Sequence, residues 1–107
     1  MKRGDVVIAV MKGDYGKPRP AVVVQSDIYA NHTSVTVAMM TTTLTELDDI
    51  RITIEPQPSN GLRETSQVLG DRVQTVRRDR IKEVIGELTP DQLTALNRAL
   101  ALFLGVV

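Results

Sequence analysis

Only one segment of this 107-residue chain reads as a helix of several turns, and it comes last. Thr89-Pro90-Asp91-Gln92 combines a threonine cap, a proline at the first helical position and a capping-box glutamine three residues after the cap. Leu93, Leu96, Leu100, Phe103 and Leu104 then recur at helical spacing, and Gly105 follows. The pattern predicts a helix from Pro90 to Gly105 whose apolar stripe packs into the core. Everything before it must be built from short extended pieces.

Those pieces are readable. Asp5 to Val10 is rich in β-branched residues, and the Met11 to Lys17 stretch, with Gly13, Asp14 and Gly16, reads as a loop. Ala21 to Val24 reads as a buried strand ended by Gln25-Ser26-Asp27, and Asp27 to His32 as at most one helical turn. Ser34 to Met40 is a further strand with Val35 and Val37 on one face, closed by three threonines. Ile50 to Ile54 alternates strictly, so the isoleucines face in while Arg51 and Thr53 face out. Pro56 to Gly61 is a turn-rich break. Ser66 to Gly70 and Arg72 to Val76 are strand-like, with Asp71 between them. Arg78 to Lys82 suits a tight turn and Val84-Ile85 a short strand. Many short strands followed by a helix predict a single domain over residues 1–107. It is mainly β, a small and strongly bent antiparallel sheet or barrel with the helix packed on it. Exposed sheet edges in so small a protein favour a homodimer.

Composition narrows the chemistry. With no cysteine, disulfides, thiolate metal sites and a cysteine nucleophile are excluded. His32 is the single histidine and lies in a polar loop, and no acidic cluster has ligand spacing, so no metal and no cofactor are expected. Formal net charge is zero, so nucleic acid would have to be attracted locally and not by a global field. Arg72, Arg77, Arg78, Arg80 and Lys82 form such a local cluster; Glu46, Asp48 and Asp49 form an acidic one. No apolar run approaches the ~20 residues of a membrane helix. No apolar signal segment precedes the first strand, so a cytoplasmic location and no membrane partner are expected.

Gly16 to Asp27 holds the chemistry-bearing feature. Pro18 and Pro20 flank Arg19, stiffen the backbone, push Lys17 and Arg19 toward extended conformation and cannot donate to a ladder. One guanidinium is thereby presented at the mouth of a strand, where it suits a phosphate or a carboxylate; the plainer alternative is a strand-edge arginine. Arginine, threonine and aspartate suffice for one reaction without a metal, cleavage of RNA by its own 2′-hydroxyl. Arg19 could neutralise the phosphorane charge. Thr41 could donate to the same oxygens, and Asp71 or Asp14 could take the proton.

The chain resembles the MazF/PemK family of toxin endoribonucleases from type II toxin–antitoxin systems. The resemblance rests on Arg3-Gly4-Asp5-Val6-Val7, Gly16 through Ser26, Val37-Ala38-Met39-Met40-Thr41-Thr42, Gly70-Asp71-Arg72-Val73-Gln74-Thr75-Val76 and the terminal helix. It covers nearly the whole length, and the arginine–proline step before an apolar strand is its most specific element. It implies an SH3-like, strongly bent β-barrel with a C-terminal helix, assembled as a homodimer. It also implies a metal-independent mRNA interferase that cuts single-stranded RNA at short sequences, leaving a 2′,3′-cyclic phosphate and a 5′-hydroxyl. The family's catalytic arginine and threonine carry over onto Arg19 and Thr41, and the basic aspartate of PemK-like members onto Asp71. Those members place an arginine two residues before that aspartate, where this chain has Leu69. Some also use a first-loop histidine, where this chain offers Lys12, Asp14, Tyr15 and Lys17. Asp14, Lys17, Thr42, Arg72, Arg77 and Arg78 are the expected RNA-binding residues. The implied partner is an antitoxin with a disordered acidic tail lying in the RNA groove; DNA would be met only through that antitoxin. The alternative of the same fold is a CcdB-like, non-enzymatic gyrase inhibitor. Leu104-Gly105-Val106-Val107 lacks the tryptophan–glycine ending associated with that activity.

Overall fold

The structure is a computed structural model and describes residues 1–11, 16–46 and 49–106. Its strands are β1 (Asp5–Val10), β2 (Pro18–Val23), β3 (Ser34–Thr41), β4 (Arg51–Ile54), β5 (Ser66–Arg77) and β6 (Ile81–Glu87). They form one antiparallel sheet in the order β4-β5-β3-β2-β1-β6. A 3-10 turn over Asp27–Tyr29 follows β2, another over Arg78–Arg80 joins β5 to β6, and α1 spans Pro90–Leu104.

The connection between β5 and β6 dictates the shape. Three strands lie between them in the sheet. On a flat sheet their axes would be roughly 19 Å apart, at ~4.8 Å per strand. The step from Arg77 to Ile81 covers at most roughly 14 Å even when fully extended. The sheet must therefore curl, and the curl brings Val76 of β5 and Ile81 of β6 into one apolar cluster. Among the described residues no ladder joins the two edges. The expected barrel is thus an open, curled sheet, its seam crossed by side-chain packing and a turn, with no hydrogen-bonded strand pair.

Strand alternation sorts the core into two layers. Val22, Ala38, Met40, Ile54 and Val68 lie on the helix side with Leu88 and Leu96. Ala21, Val23, Val35 and Val37 lie on the other side with Val7, Ala9, Met11 and Val76, inside the curl. The helix starts as its sequence predicts. The Gln92 N–H donates to Thr89 Oγ1 at 3.1 Å and the Thr89 N–H to Gln92 Oε1 at 2.9 Å, and Gly105 closes it at φ +72°. Its stripe is only half used. Leu96 is buried and Leu93 and Leu100 pack on the core, but Phe103 and Leu104 are 53% and 62% exposed. The last turn borders an open groove with Thr36 and Val73 and does not close onto the core, so the expectation that the whole stripe is core does not hold. Among the described residues no helix is long and apolar enough to cross a membrane.

Three strands also differ from expectation. β6 spans Ile81–Glu87, longer than the expected Val84-Ile85 because it pairs along most of β1, so the turn before it stops at Arg80 and not Lys82. β2 begins at Pro18 instead of Ala21, and β5 runs unbroken through Asp71. Within β5, residues 69–72 stand opposite the single residue Met39, because Val73 pairs with Ala38 and Val68 with Met40. This wide irregularity lets one strand bend and pair with β3 on one side and β4 on the other. Gly70 sits in it because nothing larger fits: a Cβ there would lie 2.7 Å from the Ile50 carbonyl oxygen and 3.3 Å from Ala99 Cβ. Its N–H donates to that same carbonyl at 2.8 Å. Gly70→Ala is expected to destabilise the protein by about 2 kcal/mol or more, read as a lowered midpoint in urea unfolding. An unchanged midpoint would mean that the Ile50 backbone yields freely.

Candidate active site

Arg19 lies on β2 opposite Ala9 of β1, and Pro18 and Pro20 lie opposite Val10 and Ile8. The ladder from β2 to β3 ends at Ala21–Met39. The two prolines, which have no N–H to give, are therefore paired with β1 alone, which is where a sheet tolerates them. That one-sided pairing is why β2 reaches back to Pro18. Continuing the β2–β3 register by two residues sets Arg19 across from Thr41, the last residue of β3. Arg19 shares strand parity with Ala21 and Val23, and Thr41 with Val35, Val37 and Met39. Both belong to the face inside the curl, at the rim of its apolar cluster.

Thr41 is half-buried, and its Oγ1 accepts from the Thr43 N–H at 3.1 Å. Asp71 is half-buried in the β5 irregularity facing Met39, and Met39 is the β3 residue two before Thr41. Lys17, Thr42 and Arg72 are exposed and adjoin Arg19, Thr41 and Asp71 in the chain. Lys17, Arg19, Thr41 and Thr42 thus lie at one end of the β2–β3 pair, with Asp71 and Arg72 in the β5 irregularity opposite Met39. Asp14 lies outside the described residues.

The distal arginines are elsewhere. Arg77 pairs with Ser34, at the far end of β3 from Thr41, roughly 23 Å away at ~3.3 Å per residue. Its guanidinium is hydrogen-bonded to Asp79, which holds the Asp79 carboxyl below the ordinary carboxylate range and raises Arg77. Arg78 donates to the His32 carbonyl from Nε at 3.0 Å and from Nη2 at 2.7 Å, and also to the Ala30 carbonyl. It thereby pins the turn after β2 onto the β5–β6 connection. The structure does not bring Arg77 or Arg78 to Arg19.

The sequence reading missed one group of residues. Arg51 was expected to face outward, yet it is half-buried and its Nη1 donates to the Thr43 carbonyl and to Gln67 Oε1, each at 3.2 Å. Gln67 is 4% exposed and sits in register with Thr41. The available signal was the Ser66-Gln67 pair, two polar residues at the head of an otherwise apolar strand.

Against protein-family models the chain matches, over residues 2–104, the one described as PemK-like, MazF-like toxin of type II toxin-antitoxin system. The chain belongs to this family. A protein of Mycolicibacterium smegmatis named a probable endoribonuclease MazF is 40% identical over 107 residues, covering 99% of this chain and 98% of that protein. Among solved structures, the Mycobacterium tuberculosis toxin MazF-mt6 superposes with a TM-score of 0.81 at 29% identity, covering 94% of this chain and 96% of that one. A mycobacterial endoribonuclease solved in complex with its cognate antitoxin gives 0.83, covering 100% and 97%; at 24% identity it speaks for the fold alone. Both solved structures agree with the fold described above.

Because Arg78 is spent on carbonyls of the chain, Arg78→Ala is expected to cost about 1–3 kcal/mol of stability, seen as a lower melting temperature. A variant as stable as the parent would show that these bonds hold nothing in place.

Proposed function

We propose that this chain is the toxin of a toxin–antitoxin pair and acts as a metal-independent, sequence-specific endoribonuclease on single-stranded mRNA. The observation that carries the reading is the β2–β3 ladder, which ends at Ala21–Met39 and leaves Arg19 and Thr41 each two residues beyond that pair, on the same strand face. In this reading both donors serve one phosphate.

In this reading the Asp71 carboxylate takes the proton of the 2′-hydroxyl, whose oxygen then attacks phosphorus. Charge grows on the non-bridging oxygens. Arg19 meets it with paired N–H groups and Thr41 with its hydroxyl, both placed before the reaction starts. The bond from phosphorus to the 5′-oxygen breaks as that oxygen gains a proton, leaving a 2′,3′-cyclic phosphate and a 5′-hydroxyl. Lys17, Thr42 and Arg72 hold the flanking nucleotides. Arg77 extends the phosphate track toward the far end of β3, and Arg78 supports the fold there. Asp14, three positions before Lys17 in the sequence, is the other candidate base. With aromatic residues limited to Tyr15, Tyr29 and Phe103, base recognition rests on hydrogen bonds more than on stacking.

The partners follow from surfaces. A disordered acidic antitoxin tail would bind the same arginines that grip phosphate, and so exclude RNA. The outer face of β3 and β5 and the end of α1 frame an open groove of about 510 Å³ lined by Val24, Val73, Leu100, Leu104 and Val106. A second copy covering that groove and the exposed helix end would give a cytoplasmic homodimer.

The purified protein is expected to cleave single-stranded RNA in EDTA, with cyclic-phosphate ends. Arg19→Ala and Thr41→Ala should each lower the rate by ~100-fold or more. Cleavage that appears only after adding a divalent metal ion would overturn the mechanism, and full activity in either variant would remove that residue from it. Leu104→Glu should halve the mass seen by sedimentation; an intact dimer would place the interface elsewhere.

A further inference from the structure

Gln67 and Arg51 form a polar network directly behind Thr41. The Gln67 amide is buried, and all of its hydrogen-bonding capacity is used. Its Oε1 accepts from the Thr45 N–H at 3.1 Å and from Arg51 Nη1 at 3.2 Å. Its Nε2 donates to the Thr45 carbonyl at 2.9 Å and to Thr53 Oγ1 at 3.1 Å. One side chain thus holds both backbone groups of Thr45, and Arg51 holds the Thr43 carbonyl at 3.2 Å. The segment leaving β3 is tied down at two points by residues of β4 and β5.

The Thr43 N–H completes the chain. It donates to Thr41 Oγ1, so one acceptor site of that hydroxyl is occupied from inside. A hydroxyl has a single proton. With its inner side facing a donor, the Thr41 proton has no use there and is directed away from the segment. Without the network, the exit segment could turn and the hydroxyl could point anywhere its rotamers allow.

We infer that Gln67, acting with Arg51 through the Thr43 backbone, is a positioning residue that presents the Thr41 hydroxyl as a hydrogen-bond donor to the scissile phosphate. This rests on the reading of Thr41 given above. Gln67 itself touches no reacting atom. It lies in register with Thr41 on one side and Thr53 on the other, so the central strand sets the geometry of both neighbours.

The test is single-turnover cleavage of a short RNA by Gln67→Leu, Thr41→Val and the double variant, with affinity measured on an RNA carrying a 2′-deoxy sugar at the cut site. Gln67→Leu should slow cleavage ~10- to 100-fold while affinity changes less than ~3-fold. In the Thr41→Val background it should add less than ~3-fold, because residues acting as one unit are not additive. Losses that multiply, or that fall on affinity, would make Gln67 merely structural and overturn the inference. Wild-type cleavage by Gln67→Leu beside a slow Thr41→Val would overturn this inference alone; wild-type cleavage by Thr41→Val would overturn the reading of Thr41 and this with it. Should Gln67→Leu fail to fold, Arg51→Lys, which keeps the charge and loses the fork, is judged by the same outcomes.

Discussion

The rest of the structure depends on a turn too short for a flat sheet. Arg78–Arg80 must return the chain from β5 to β6 across the width of three strands, and only a curled sheet permits it. The curl creates an inside, which Val, Ala and Met fill, and a rim, where the apolar lining stops. Arg19 and Thr41 are the first polar residues beyond that lining on their strands. The fold thus supplies a place where charge can face a substrate while its neighbours on the same face hold the register rigid.

The prolines on either side of Arg19 act on this frame in a second way. They end the β2–β3 ladder without ending β2, because β1 continues to hold it. The guanidinium therefore rises from a strand secured on one flank only. A third device is the β5 irregularity, which spends residues 69–72 opposite one residue and so carries Asp71 and Arg72 into the same neighbourhood. The last two devices are local, and each depends on a residue type visible in the chain: proline in β2 and glycine in β5.

Much of this was legible beforehand. The capped helix, the β1 boundaries and the inward isoleucines of β4 follow from cap chemistry and alternation, which are local. What was not legible is what depends on distance. Phe103 and Leu104 fit a core stripe by spacing, yet both stand more than half exposed at the end of the helix. Arg51 alternates outward until Gln67, sixteen positions away, offers it an acceptor. Arg77 and Arg78 adjoin Arg72 in a basic run, yet the extended strand carries them to its other end. Register and side-chain partners separate residues that share one end of the sheet from those that merely lie close in sequence.

The one-sided pairing of β2 has an evolutionary reading. Arg19 and Thr41 sit on strands whose register is set by core residues such as Ala21 and Met39, whereas Thr42 and the residues after it follow the last ladder pair. Drift at the core positions therefore moves both residues together, and drift beyond the ladder leaves their placement on the sheet as it is.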